Sequence, residues 1–166
     1  PTIITAPFLF KELFSMHNRN LEDYITLKPL DIWYRFVYSD GSYFDYEKSI
    51  ENTISNMKKI NEIDAQNYIQ LLGKSKNIYD LAFCKLADQP FHNLSTMIKQ
   101  IPFLLKFRSY ENVYKFTSRY LKSEKLRRAF SIQPLLVGGN PFDTTCIYSL
   151  IHYLERAHGV YFAMGG

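Results

Sequence analysis

The residue types that most often supply acid, base or nucleophilic chemistry are scattered along this chain. Its histidines form no Ser/His/Asp set at a spacing that would support nucleophilic catalysis; they are His17, His92, His152 and His158. His152 is expected to pack within a helix beside Glu155, and His158 is expected to complement a helix C-terminus. The sequence therefore identifies no catalytic residue.

The most unusual segment is a glycine-rich loop with the sequence Val137-Gly138-Gly139-Asn140-Pro141-Phe142. Two adjacent glycines permit backbone conformations that other residues avoid, and they allow another chain or a flat ligand to approach closely. The loop lacks the third glycine and the preceding strand of a dinucleotide-binding fingerprint. Taken alone, it is either a structural turn between two helices or a contact point for a ligand.

A basic and aromatic stretch runs from Lys99 to Arg128. It holds nine basic residues against two acidic ones, so it carries +7 in a chain whose net charge is +4. One interpretation is an amphipathic helix pair with solvated lysines. A second is a membrane-surface patch formed by Lys115, Arg119, Lys122, Arg127 and Arg128. Nucleic-acid binding is disfavoured, because no recognised module is present and the aromatic residues recur at helical spacing.

The composition is typical of a folded chain with reduced cysteines and without a membrane-spanning helix. The 166 residues are 46% hydrophobic and 22% charged, which excludes a disordered tail and fits one domain. Two cysteines give neither a disulfide framework nor the Cys/His spacing of a zinc site, so no metal site is predicted. No apolar run reaches the roughly 18–20 residues of a membrane-spanning helix. The amino end does not have the pattern of a signal peptide, and both ends suggest a piece of a longer protein.

Strand patterns concentrate at the front of the chain. Pro7 is predicted to begin a short helix, and Asn20 to cap a turn that ends at Tyr24. Residues 25–30 and 32–38 are β-branched and aromatic, Tyr43–Tyr46 would be the return strand, and Asp40-Gly41 between them predicts a hairpin turn. Residues 160–163 read as one more short strand.

Helical periodicity dominates the rest. Helices are predicted at 50–60, from Glu62 to about Leu86 behind an Asn61 cap, and at 93–101. Three more are predicted at 109–121, from 123 to before Pro134, and from Asp143 or Thr144 to Ala157, with Gly159 after its end. The predicted fold class is therefore α+β, mostly helical, with a small antiparallel sheet.

Three strings of residues carry a resemblance to a known family. They are Pro1–Pro7 (PTIITAP), Leu135–Phe142 (LLVGGNPF) with Thr144–His152 (TTCIYSLIH), and Gly159–Gly166 (GVYFAMGG). Together with Asp31–Arg35 (DIWYR) and Arg127–Gln133 (RRAFSIQ), they resemble bacterial phytoene desaturases, which are carotenoid desaturases of the FAD-dependent type. The resemblance covers the whole chain.

The resemblance implies a membrane-bound flavoenzyme that introduces double bonds into phytoene or a similar C40 polyene. FAD would be bound mainly by segments outside this chain, and the protein would lie peripherally on the cytoplasmic face of the bacterial membrane. Residues 1–46 would belong to the substrate-binding sheet, and 47–134 to a helical lid that associates with the membrane. Residues 135–166 would return to the flavin, so the chain alone should not catalyse.

The resemblance also marks positions near substrate or flavin. These are Thr5, Pro7, Val137, Gly138, Gly139, Asn140, Pro141, Phe142, Met164, Gly165 and Gly166. The sequence departs from the family at Ser95-Thr96, where relatives often have Arg-Asp, and at Ala6, where they often have Asp. The acid/base residue is therefore unidentified, and two alternatives stay open. One is a related carotenoid isomerase, oxygenase or later-step desaturase; the other is a non-catalytic lipid-binding helical module.

Overall fold

A computed structural model describes residues 3–84, 101–102 and 104–165. It confirms a mostly helical α+β fold with antiparallel strands. Two compact units divide the chain: residues 1–56 with 154–166 form the first, and residues 57–153 form the second. The functional division into 1–46, 47–134 and 135–166 stays a prediction. The helix end at Asp88–Pro90, the helix start at Asn93, and the Ser95-Thr96 departure lie outside the described residues, as does Gly166.

The first unit includes a three-stranded antiparallel sheet and the N-terminal helix of the chain. Strand β1 (Ile3–Ile4) and strand β2 (Leu27–Pro29) flank β5 (Tyr161–Ala163), which confirms the strand predicted near the C-terminal end of the chain. Helix α1 (Pro7–Met16) begins at the predicted proline. A single helical turn follows at Leu21–Asp23, although the Asn20 side chain makes no capping hydrogen bond. No residue of α1 is buried, so its apolar side chains are largely exposed.

The predicted hairpin is confirmed as β3 (Ile32–Val37) and β4 (Tyr43–Glu47). Its turn differs from a two-residue turn with positive φ at both central residues. Only Gly41 takes a positive φ, +78°, while the Asp40 side chain accepts from the Ser42 backbone N–H. The Tyr38 carbonyl accepts from the Gly41 N–H, and the Tyr38 N–H donates to Ser42. One left-handed glycine therefore suffices to close this wider turn.

The helical second unit is built on a long, capped helix. Helix α2 (Ile50–Lys58), most of which belongs to the first unit, precedes α3 (Glu62–Ile78) in the chain. The Asn61 side chain caps α3 by accepting from the Asp64 N–H, as predicted. The helix passes through Gly73 and then widens into a π-helical turn at Tyr79–Phe83. The irregularity thus begins six residues after Gly73, and the α-helix itself continues through that glycine.

The helix predicted at 109–121 is shorter than expected. Helix α4 runs only over Val113–Ser118, because the Asn112 side chain caps it by accepting from the Lys115 N–H. Backbone carbonyls of the preceding residues accept hydrogen bonds from another segment of the chain instead. Ser109 and Glu111 accept hydrogen bonds from Thr145 and Cys146, and this pairing excludes a helix at 109–112. The neighbouring residues 101–102 and 104–106 are helical, so the helix boundary predicted before Pro102 is wrong.

The last predicted helices also have different bounds. Helix α5 (Glu124–Ala129) ends before Phe130, whose carbonyl accepts from Thr117 and contacts His152. A 3₁₀ turn at Gln133–Val137 then begins with Pro134 in its first turn. Another at Cys146–Ser149 is capped by Thr145, not by Asp143 or Thr144, and leads into α6 (Leu150–His158). Gly159 follows with φ +81°, as predicted.

Asp64 joins α3 to the start of α5 within the core of the second unit. Its fully buried carboxylate accepts from the backbone N–H groups of Lys122 and Ser123, both at 2.7 Å. Ser123 itself makes no side-chain cap, so Asp64 supplies the acceptors from a distance in sequence. Around this contact lies an apolar core of fully buried side chains that includes Tyr68, Leu71, Ile78, Leu121, Leu126 and Phe130.

Candidate functional site

The site positions at the two ends of the chain lie around the sheet of the first unit. Thr5 directly follows β1 and Met164 directly follows β5. The antiparallel register pairs Ile4 with Tyr161, and the Met164 N–H donates to Thr26 on the other side of the sheet. Thr5 and Met164 therefore lie beyond opposite ends of β5, roughly 13 Å apart at 3.3 Å per residue. One small ligand group would not contact both.

Pro7 borders an apolar groove of about 390 Å³ in this unit. The lining residues are Pro7, Phe8, Lys11, Leu21, Glu22, Ile25, Thr26, Leu27 and Tyr161. Lys11 and Glu22 form an ion pair at 2.8 Å. Hydrogen bonding between them raises the pKa of Lys11 and lowers that of Glu22, so both stay charged at neutral pH. The groove thus combines an apolar surface with one exposed, mutually neutralised charge pair.

The glycine-rich loop in the second unit is held by its own hydrogen bonds. Asn140 accepts from the Phe142 N–H through its side chain and donates to Asp143 at 2.7 Å. The Asn140 carbonyl accepts from the N–H groups of Asp143 and Thr144. Gly139 donates to the Pro134 carbonyl at 2.7 Å. The loop is therefore a turn that is held by hydrogen bonds within the chain.

The two glycines of this loop serve different needs. Gly138 takes φ +75°, the left-handed region that a Cβ disfavours, and it faces open space. Gly139 has an ordinary backbone, but an added Cβ would lie 2.7 Å from the Thr144 Oγ1 and 3.3 Å from the Pro134 oxygen. Close packing within the chain therefore accounts for Gly139, which leaves no space there for a ligand to approach.

Exposed apolar side chains collect on and beside this loop. Val137 and Phe142 are 59% and 57% exposed, and the Phe142 ring lies 4.7 Å from that of Tyr114. The loop is bound to the segment before α4, since Asn112 donates to the Phe142 carbonyl at 2.6 Å. The other large exposed apolar residues of this loop and segment are Ile101, Leu104, Leu105, Tyr110, Leu135 and Leu136. We call this set the loop surface.

The five basic residues predicted to form a membrane patch divide into two groups. Arg119 pairs with the buried Glu111, Arg127 donates to the Leu121 carbonyl at 2.8 Å, and Arg128 pairs with Glu124 at 2.9 Å. Arg119 and Arg127 thus make contacts that stabilise the unit, whereas the Arg128–Glu124 pair is exposed and lies within α5. Lys115 and Lys122 are exposed, and within the described part of the chain neither has an ion-pair partner. Among these five residues, Lys115 and Lys122 are therefore the exposed cations that lack an ion-pair partner in the described part of the chain.

Residues of the Asp31–Arg35 segment make contacts within the first unit. Trp33 occupies a bulge in β3 and is buried, with its indole N–H donating to the Leu30 carbonyl. Arg35 makes a two-pronged pair with Asp45 on β4, at 2.7 and 2.8 Å. Tyr34 donates from its hydroxyl to Glu155 at 2.7 Å. These contacts give Trp33, Tyr34 and Arg35 structural roles in the first unit.

Glu155 is a buried acid that the sequence did not single out as a functional residue. Its Oε1 accepts from Tyr34, while its Oε2 has no hydrogen-bond partner. Burial raises the pKa of this carboxyl to about 7, against the smaller lowering effects of the Tyr34 hydrogen bond and Arg156. It can exchange a proton near neutral pH, but its full burial keeps it from touching a substrate. No pattern of residue types or spacing marks it, because its environment comes from distant residues.

His152 has the packing role predicted for it. Its ring nitrogens contact the Gln133 amide at 3.0 Å and the Phe130 carbonyl at 2.9 Å, and its side chain is buried. A neutral ring that donates to the carbonyl and accepts from the amide satisfies both contacts. The Arg127–Gln133 string thus also supplies internal contacts.

The described residues contain no metal cluster and no spanning helix. Within 3–84, 101–102 and 104–165, no group of three or more His, Cys, Asp or Glu side chains could hold a metal ion. No helix in these ranges has both the length and the apolar character that crossing a bilayer requires.

Comparison with known proteins gives matches along the entire chain. It is 38% identical over 166 residues to the lycopene-forming phytoene desaturase of Pseudescherichia vulneris and 37% identical to that of Pantoea ananas. It is 32% identical to the neurosporene-forming phytoene desaturase of Cereibacter sphaeroides. The chain spans about a third of the length of these relatives. No family model matches it. The resemblance seen in the sequence is thereby confirmed: over its whole length, this chain fits a segment of a carotenoid desaturase of the phytoene desaturase type.

Proposed function

We propose that this chain is part of an FAD-dependent desaturase that introduces double bonds into phytoene or a similar C40 polyene. The observation that supports this is the 37–38% identity, over all 166 residues, to enzymes named as lycopene-forming phytoene desaturases. A more distant relative at 28% identity is a 4,4'-diapolycopen-4-al dehydrogenase of Metabacillus indicus. This match favours the alternative of a related carotenoid enzyme. It does so less strongly than the matches above favour a phytoene desaturase, because its identity is lower.

FAD would be held mainly by residues outside this chain. A dinucleotide site needs a glycine-rich turn between a strand and a helix, so that backbone N–H groups face the pyrophosphate. The Gly138–Gly139 turn follows a 3₁₀ turn and not a strand, and Gly139 is packed against Thr144. The described residues therefore do not fit the pyrophosphate of the cofactor. When bound elsewhere in the protein, the flavin would accept the hydrogen removed from the polyene.

The first unit is proposed to contact the substrate. A polyene is a long apolar chain, and the groove beside Pro7 is lined mainly by apolar side chains. Thr5 and the exposed Met164 lie beyond the two ends of the neighbouring strand, with Gly165 following at φ +92°. These positions stay predictions for contact with the substrate or the flavin.

The second unit is proposed to rest on the cytoplasmic face of the membrane. The loop surface presents Leu105, Val137 and Phe142 together with the exposed lysines 115 and 122. Apolar side chains beside basic ones suit the interface of an anionic bilayer, where each cation near the surface contributes about 1 kcal/mol. A peripheral position would bring the enzyme to a substrate that dissolves in the bilayer.

Membrane association can be measured with charge-reversed variants of the complete protein. Lys115→Glu combined with Lys122→Glu should reduce co-sedimentation with anionic liposomes about tenfold or more, since each reversal removes one attraction and adds a repulsion. Val137→Ser combined with Phe142→Ser should reduce it independently of salt. Reversal at Lys48 and Lys58, which lie outside the loop surface, serves as the matched control. Equal binding by all variants would contradict the membrane assignment.

The desaturase assignment has its own test in cells. A bacterium that accumulates phytoene should form coloured, more unsaturated polyenes when it expresses the complete coding sequence that contains this chain. Chromatography of the extracted pigments separates desaturation from isomerisation or oxygenation of the same backbone. Unchanged phytoene, with liposome binding retained, would favour the non-catalytic lipid-binding module.

A further inference from the structure

A basic cleft of about 470 Å³ lies within the second unit, and one of its lining residues, Lys106, directly follows Leu105 of the loop surface. It is lined by Lys74, Asn77, Ile78, Asp80 and Leu81 on one side, and by Lys106, Phe107, Arg108, Phe116, Arg119 and Tyr120 on the other. The first group belongs to α3 and the turn that follows it. The second comes from the residues before α4 and from the C-terminal end of α4. Segments distant in sequence therefore bring four cations to one concavity.

The positive charge in the cleft exceeds the negative charge near it. Glu111, which is buried, pairs with both Arg108 and Arg119, so one carboxylate faces two guanidinium groups. Asp80 is already paired with Lys76 at 2.5 Å. The remaining cleft cations, Lys74 and Lys106, are exposed.

The two cleft lysines add charge that the protein does not neutralise. Among the residues that the structure describes, neither Lys74 nor Lys106 has an ion-pair partner. Counting Lys76 and the two carboxylates, the cleft and its immediate neighbours carry three more positive charges than negative ones. Such a concavity attracts an anion, and its field is strengthened by low-dielectric walls.

The cleft arginines are positioned by the fold. Arg119 lies over the Phe116 ring, 5.8 Å from its centroid, and is anchored by Glu111. Arg108 takes φ +52°, an unfavourable left-handed conformation for a residue with a Cβ. Backbone hydrogen bonds fix this turn, since Arg108 donates to Leu105 at 3.0 Å and accepts from Glu111 at 2.8 Å. The backbone that carries Arg108 is thereby fixed, and the Arg119 side chain is held by its pair with Glu111.

We propose that this cleft binds a phosphate-type oxyanion, and that its source is the headgroup of a membrane phospholipid. Arginine presents a planar fork that matches two phosphate oxygens, and lysine adds a point charge. Here two arginines that share one buried carboxylate, Glu111, line the cleft beside two lysines that lack carboxylate partners among the described residues. The source of the anion rests on the proposed membrane association, whereas the phosphate site itself does not.

The site is tested first with inorganic phosphate alone. Calorimetric titration of the complete protein should show saturable binding, and Lys74→Ala combined with Lys106→Ala should weaken it about tenfold or more. Both side chains are exposed, so the fold should tolerate the change. Arg108→Lys keeps the charge but loses the fork, and it should weaken binding by a smaller factor. The control Lys48→Ala combined with Lys58→Ala removes the same charge elsewhere and should leave phosphate affinity within about twofold of wild type.

A second arm identifies the source of the phosphate. Phosphatidylcholine vesicles that contain phosphatidic acid should bind the wild type more tightly than vesicles given equal negative charge by a fatty acid. Inorganic phosphate should compete for the phosphatidic acid vesicles, and the Lys74/Lys106 variant should lose the preference. Saturable phosphate binding without any vesicle preference would support the site and contradict its lipid source. The absence of saturable phosphate binding, or equal binding by the cleft and control variants, would overturn the proposal.

Discussion

Replacing Glu155 by glutamine should remove a specific pH dependence from the stability of the protein. The carboxyl has a pKa of about 7 in the folded state against an ordinary value of 4.5, because burial disfavours its charged form. Between these two values the folded state holds a proton that the unfolded state has released. The stabilising contribution is therefore complete below pH 4.5 and is lost as the pH rises through 7. At about 1.4 kcal/mol per pKa unit, the loss amounts to about 3 kcal/mol.

The assay is urea unfolding of wild type and Glu155→Gln at several pH values from 4.5 to 8. The glutamine variant should gain about 3 kcal/mol relative to wild type across this interval, because an amide keeps the packing and cannot ionise. Tyr34→Phe should shift the wild-type loss to higher pH, since the Tyr34 hydrogen bond lowers the pKa of Glu155. Glu12→Gln, at an exposed position of the same unit, is the charge-matched control. Parallel pH profiles for wild type and Glu155→Gln would refute the reasoning.

Two further substitutions test how the second unit is held together. Gly139→Ala should lower the free energy of unfolding by about 1–3 kcal/mol in denaturant unfolding, since the new Cβ would overlap Thr144 Oγ1. Adding Thr144→Ala should recover part of that loss. An unchanged free energy of unfolding would contradict the packing role of Gly139. Asp64→Ala should lower the free energy of unfolding by about 2 kcal/mol or more, because the N–H groups of Lys122 and Ser123 lose their acceptor. Hydrogen exchange at those two amides should accelerate. Unchanged exchange would contradict the capping role of Asp64.

Local signals predicted the fold where one short segment determines its own structure. Pro7, Asn61 and Gly159 begin, cap and follow helices as expected, since each effect involves neighbours in sequence. Helical periodicity predicts a helix over 109–121, but the observed helix begins later. It does so because Thr145 and Cys146 donate hydrogen bonds to the backbone carbonyls of Ser109 and Glu111. Nothing local signals that pairing across more than thirty residues.

The candidate sites, too, could be predicted only as far as neighbouring residues in the sequence determine them. The count of charged residues located the basic stretch, but it could not show that Arg119 and Arg128 are paired while Lys115 is not, because those pairings depend on the folded arrangement. Lys74 was not associated with the basic stretch, since it lies on a helix 32 residues before Lys106. The buried environment of Glu155 was likewise hidden, as its partner Tyr34 comes from the other end of the chain.

The central claim, that this chain is part of an FAD-dependent polyene desaturase, is most directly tested by turnover in a defined system. The complete protein, incubated with FAD and with phytoene in liposomes, should convert phytoene into products whose absorption moves to longer wavelengths as conjugated double bonds accumulate. Omission of FAD should abolish the conversion. Phytoene that is recovered unchanged, from protein that is folded, loaded with FAD and bound to the liposomes, would contradict the claim.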